Sequence, residues 1–172
     1  MSIWLLSSLC NLILKKYPLF EFYCFDSPTV EHCGRTLKHF VTSTTSPQIN
    51  TGLQFFLDNM VNSYLYAVFF TLFVGFFEER DIFLVLDLFS LQNYSVILYL
   101  AIVIIILFSK KHSQNFGLSQ IMAFSKNLGI IGVIRDSQQF KIRLPDLVQQ
   151  FESDLGETSK IGSFIESDQS HR

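Results

Sequence analysis

The sequence predicts an all-α membrane protein: a helical hairpin of two transmembrane helices, with a short N-terminal apolar helix and a small C-terminal soluble appendage. Three observations predict it. Of 172 residues, 49% are hydrophobic and only 16% are charged, against about 25% charged in an ordinary soluble domain. Two windows, Asn59 to Phe77 and Leu88 to Ser109, carry no formal charge over nineteen and twenty-two residues. The basic residues lie almost entirely outside those windows.

The N-terminal element, residues 1–17, is apolar from Met1 to Leu14 and ends in Lys15-Lys16. It lacks the basic start and small-residue cleavage site of a signal peptide, and it lacks the arginines of a mitochondrial presequence. A short interfacial or tilted helix is the expected use. Residues 18–52 are polar and rich in turn formers, including Thr42 to Gln48, TSTTSPQ, and predict a loop with little regular structure.

Residues 53–109 predict the transmembrane hairpin. At about 1.5 Å of rise per residue, the uncharged windows would be roughly 28 Å and 33 Å long as helices, near the ~30 Å of a hydrocarbon layer. The second window is the stronger signal, since Val96 to Phe108 reads VILYLAIVIIILF, with Tyr99 and Ala101 its only departures from Leu, Ile, Val and Phe. At roughly −0.3 to −0.6 kcal/mol for each such residue near the bilayer centre, the run favours insertion by several kcal/mol. A buried soluble strand is the competing reading, but strands are usually short. A run this long would need covering on every side. The first window opens on polar Asn59, Asn62 and Ser63. Tyr64, Tyr66, Tyr94 and Tyr99 suit a membrane interface.

Charge orients the pair. Lys15, Lys16, Arg35 and Lys38 precede the first window; Lys110, Lys111, Lys126, Arg135, Lys141, Arg143, Lys160 and Arg172 follow the second; Arg80 alone lies between. Basic residues stay on the side of insertion, so both tails are expected on one face, the cytoplasm or its organellar equivalent. The knot Glu78-Glu79-Arg80-Asp81 then becomes the hairpin tip on the other face. Ile82 to Phe89 are expected at the interface, with Asp87 near the headgroups, because an aspartate at mid-membrane costs about 2.5 to 3.5 kcal/mol.

Residues 110–156 predict the appendage. Phe140 to Leu144 alternates like a strand and could pair with Ile130 to Ile134 across a turn at Asp136-Ser137. Pro145-Asp146 opens a short helix whose Leu147, Val148, Phe151 and Leu155 share a face, with Gly156 to stop it. Residues 157–172 are polar and are expected to form a mobile tail.

Composition also excludes roles. A net charge of −2 offers no basic stripe for phosphates, so nucleic acid is not an expected partner. Cys10, Cys24 and Cys33 form an odd set with no paired spacing and read as free thiols. Cys24, His32, Cys33 and His39 contain zinc-binding atoms but match no ligand pattern. Gly129 and Gly132 lack a phosphate-loop context, and Asn93-Tyr94-Ser95 fits a glycosylation sequon that is common by chance. No catalytic, cofactor-binding or metal site is nominated. The intramembrane carboxylates open to a proton-carrying role are Asp58 and Asp87, both near predicted helix ends.

A chain rich in Phe, Leu and Ile without a presequence has the look of a protein encoded inside an organelle. Leu91 to Phe116, LQNYSVILYLAIVIIILFSKKHSQNF, resembles the membrane segment of the mitochondrially encoded subunit b of plant and protist ATP synthases. That family enters its helix through Asn-Glu-Glu and leaves it in a phrase like Phe-Ser-Arg-Lys. Asn93 and Phe108-Ser109-Lys110-Lys111 match in kind, while Tyr94 and Ser95 replace the acidic pair. The family continues into a long charged stalk helix, which Gly117, Gly129, Gly132 and Pro145 would interrupt here. Pro47-Gln48-Ile49 with Phe55-Phe56 is similar to the opening of ATP synthase subunit eight. Glu31-His32-Cys33-Gly34 is similar to the cysteine loop of the third small membrane subunit of complex I.

The resemblance implies a non-catalytic membrane-anchoring subunit of a mitochondrial inner-membrane energy-converting complex, the ATP synthase membrane and peripheral-stalk sector first. It implies a multi-pass chain with both tails on the matrix side. The lipid bilayer and other subunits would be its partners, and no cofactor is expected. The other class is a small complex I-like subunit, or a proton-transport component using Asp58 or Asp87.

Overall fold

The computed structural model describes residues 28–45, 51–92, 94–112 and 116–140. Among the described residues the architecture is all-α: α1 (Pro28–Thr45), α2 (Thr51–Asn59), α3 (Val61–Thr71), α4 (Glu79–Gln92), α5 (Tyr94–Lys111) and α6 (Leu118–Ser137). The short N-terminal helix, the Pro145 helix and the polar tail all fall outside the described residues.

α1 forms where a loop was expected. Val30, Cys33, Leu37 and Val41 recur at helical spacing and are all buried. The Thr/Ser run was the argument for a loop, since such side chains compete for backbone hydrogen bonds. Here they turn inward along the helix: Thr42 Oγ1 donates to the Lys38 carbonyl at 2.8 Å, Ser43 Oγ to Phe40 at 3.1 Å and Thr45 Oγ1 to Val41 at 2.7 Å. The hydroxyls are satisfied without breaking the helix. Gly34 lets α1 press against α3, because a Cβ there would lie 2.9 Å from Asn62 Oδ1 and 3.3 Å from Val61 Cγ1.

The window Asn59 to Phe77 is not one spanning helix. α2 buries Leu53, Phe56 and Leu57. The chain bends at Met60, whose N–H still reaches the Phe56 carbonyl at 2.8 Å, and α3 buries Val61, Tyr64, Leu65, Val68 and Phe69. Asn59, Asn62 and Ser63 face solvent. α3 ends at Leu72 and Phe73, which hold φ of 47° and 65°. Left-handed backbone costs each such residue about 1–2 kcal/mol. Burial offsets it: Phe73, Phe76 and Phe77 are all buried, and Phe73 meets Phe76 at 5.7 Å and Phe77 at 5.5 Å between ring centroids. Each buried aromatic contributes about 1.5–3 kcal/mol. Phe69, Phe70, Phe73, Phe76 and Phe77 therefore share no single helical face, since α3 ends before Phe73, and of the five only Phe70 is exposed.

α5 is the axis of the fold. Every residue from Val96 to Phe108 is buried except half-buried Tyr99. Its neighbours are α1, α3, α4 and α6. The side-by-side partners set the directions: Tyr99 Oη to Ser137 Oγ at one end, and Phe108 against Phe124 at the other, make α5 antiparallel to α6. Tyr64 Oη donates to the Ala101 carbonyl at 3.0 Å and ties α3 to the middle of α5. A helix apolar on every face must be enclosed by protein or by lipid. In this structure other helices enclose it.

The second window is likewise divided, with α4 ending at Gln92 and α5 starting at Tyr94. Among the described residues no helix is long and apolar enough to cross a membrane. Of the Glu-Glu-Arg-Asp knot, Glu79, Arg80 and Asp81 open α4 and Glu78 immediately precedes it; Glu79 and Asp81 in that first turn complement the helix dipole. Ile130 to Ile134 belong to α6, so the strand expected there is replaced by helix.

Candidate functional site

The densest polar arrangement lies where the start of α4 meets the middle of α6. α6 begins after Gly117, an extended N-cap residue, and would run unbroken to Ser137 except that Gly129 holds φ 69° and ψ 162°. That break removes Ile130 N–H from its helical acceptor. Asp81 supplies another: its Oδ2 accepts from Ile130 N–H at 3.0 Å. The arrangement is an N-cap delivered from a different helix. A Cβ on residue 129 would stand 3.0 Å from the same oxygen, so glycine serves both the backbone angle and the approach of the carboxylate.

The surrounding charges are arranged by that contact. Asp81 is 6% exposed, and Arg80, beside it, places Nε 3.5 Å from Asp81 Oδ1 while its side chain is 89% exposed. Just before α4, and one turn earlier on α6, Glu78 Oε1 pairs with Lys126 Nζ at 3.3 Å. The partners Glu78 to Lys126 and Asp81 to Ile130 advance together, so the chain entering α4 and the middle of α6 run in the same direction where they meet. Of the four charges that looked like a loop between membrane helices, two, Glu78 and Asp81, reach across to α6.

A second polar and aromatic group closes the far end of α5. Phe108, Phe116 and Phe124 form edge-on contacts, with Phe108 5.1 Å from Phe116 and 5.4 Å from Phe124 between centroids. His112 stacks on Phe108 at 4.4 Å. Lys110 Nζ lies 4.2 Å above the Phe140 ring and Lys111 Nζ 5.4 Å from that of Phe124. Cations at this end also complement the C-terminus of α5.

The structure does not gather the residues considered from sequence. Asp58 is exposed, bonded by Gln54 Nε2 at 2.8 Å and 4.0 Å from Lys38 Nζ. Asp87 is exposed on α4. Neither is a carboxylate held at depth. His32 and Cys33 are buried in α1, whereas His39 is exposed beside Phe40; Cys24 lies outside the described residues. Among the described residues no three His, Cys, Asp or Glu side chains are placed to hold a metal ion. Burial drives the Cys33 thiol pKa far above its ordinary value. At the exposed end of α6, the Arg135 hydrogen bond at 2.8 Å holds the Asp136 carboxyl below the usual range.

Asp81 and Gly129 are the residues that sequence reasoning missed. Signals existed for both: an acidic first turn ahead of an apolar periodic run is a helix start, and an isolated glycine inside a helical pattern can mark a break. Nothing in the linear sequence joins two positions 48 residues apart. No family model, curated protein or solved structure matches the chain.

Proposed function

We propose that the chain is a non-catalytic subunit that anchors a membrane-bound energy-converting complex, with the ATP synthase membrane sector of the mitochondrial inner membrane as its leading setting. The observation that carries this reading is α5, a helix with no polar face, bounded by Lys110-Lys111 on one end and set in an uncharged segment from Leu88 to Ser109. The resemblance of Leu91 to Phe116 to subunit b supports the choice of complex. α5 alone is too short for a membrane crossing. In this reading α5 enters the apolar layer as part of the bundle it forms with α1, α3, α4 and α6, and not as a lone span. The exposed side chains of Phe70, Phe83 and Leu84 contact lipid or other subunits.

The enclosure of α5 by α1, α3, α4 and α6 supports a second reading, a helical scaffold bound to such a complex without crossing lipid. Alkaline carbonate washing of source membranes followed by gentle detergent extraction separates the two. The anchoring reading expects the chain in the washed pellet and, after extraction, in the same native band as the catalytic head and ring subunits. Release by carbonate with retention of that band selects the peripheral scaffold; migration apart from every complex rejects both. Asp58→Asn with Asp87→Asn is expected to leave turnover of the assembled complex unchanged, since neither carboxylate is buried. An assembled but inactive complex would instead assign them to proton transfer.

A further inference from the structure

Gly129 occupies a backbone region that is essentially closed to other residues. Glycine can equally adopt helical angles, so α6 has a second conformation open to it, one continuous helix from Leu118 to Ser137. The choice turns on a single N–H. In the continuous helix Ile130 N–H would bond the Lys126 carbonyl; in the bent one it bonds Asp81 Oδ2 of α4 at 3.0 Å. The bent form depends on an acceptor that α6 does not own.

We propose that α4 and α6 form a two-state joint, in which α6 is bent while Asp81 caps Ile130 and straightens when Asp81 withdraws. The charges facing the joint support the bent state from both helices. Arg80 Nε sits 3.5 Å from Asp81 Oδ1, and the Glu78 to Lys126 pair at 3.3 Å holds the preceding turns in register. The outer half of α6 carries Ile131, 69% exposed, and Ile134 on the surface, and it meets α5 through the Tyr99 to Ser137 hydrogen bond at 3.1 Å. Straightening re-aims those two isoleucines and pulls Ser137 away from Tyr99. The direction of this apolar surface thereby reports whether the start of α4 is seated.

The test uses the full-length chain in detergent micelles, labelled with 15N, and reads the nuclear Overhauser contact between the amide hydrogens of residues 129 and 130. Adjacent amides are close in a helix and far apart when ψ is extended. The native chain should give a weak contact. Asp81→Ala should raise it several-fold, whereas Asp81→Asn, which keeps an acceptor oxygen, should preserve the weak contact. Gly129→Ala should give the strong contact with Asp81 intact, because alanine is excluded from the bent geometry. A weak contact in Asp81→Ala at native helix content would overturn the joint and make the bend intrinsic to α6. Should Asp81→Ala fail to fold, a weak contact in Gly129→Ala overturns it equally.

Discussion

Thr36 carries a hydroxyl into the interior of α1, and its Oγ1 has no hydrogen-bond partner. Burying an unpaired hydroxyl costs about 1–3 kcal/mol. Valine has nearly the same shape and no group to desolvate, so Thr36→Val is expected to stabilise the fold by about 1 kcal/mol. The check is denaturant unfolding in micelles, where the midpoint should rise with the slope unchanged; a lower midpoint would reveal a bond to the hydroxyl. Three residues earlier, Cys33 is fully buried. Its thiol should resist iodoacetamide in the folded chain and react after denaturation, as read by peptide mass at Cys33. The sign of the linked pH effect follows from the raised pKa. Unfolding frees a thiol that ionises near 9.0, so this contribution to stability is complete below that pH and declines above it.

Elements differ in what their apolar residues do, and α4 and α5 make the contrast. Ile104 of α5 is wholly enclosed, while Phe83 of α4 is half exposed. Ile104→Ala should lose about 2–5 kcal/mol through lost burial and an unfilled cavity. Phe83→Ala should stay within about 0.5 kcal/mol in the isolated chain. Comparison of the two unfolding midpoints tests the placement of α5 at the centre. It also shows what was legible in the sequence. Val96 to Phe108 announced a helix enclosed on all sides, but a uniform apolar run does not say whether protein or lipid encloses it. α1 was hidden because Thr42, Ser43 and Thr45 look like loop residues until their carbonyl partners are known. The Asp81 to Ile130 contact was illegible for a different reason: it is tertiary, and each half reads as an ordinary local feature.

On the scale of the whole molecule, the order of helices along the chain and their order in space diverge. α5 runs antiparallel to α6, the start of α4 is joined to the middle of α6, and α1 and α3 also pack on α5. α6 is consequently structural cover for α5 rather than an independent appendage. A chain stopped after His112 should fail to give the monodisperse species formed by the full-length protein in the same detergent, as measured by size-exclusion chromatography with light scattering. Equal behaviour of the two would detach α6 from the core.

Because the central helix is made before the one that closes over it, a ribosome synthesising this protein passes through an awkward interval. Once Lys111 has emerged, the most water-averse part of the polypeptide is complete while one flank still lacks its cover. Until α6 arrives, the bare side is open to any apolar surface the compartment offers.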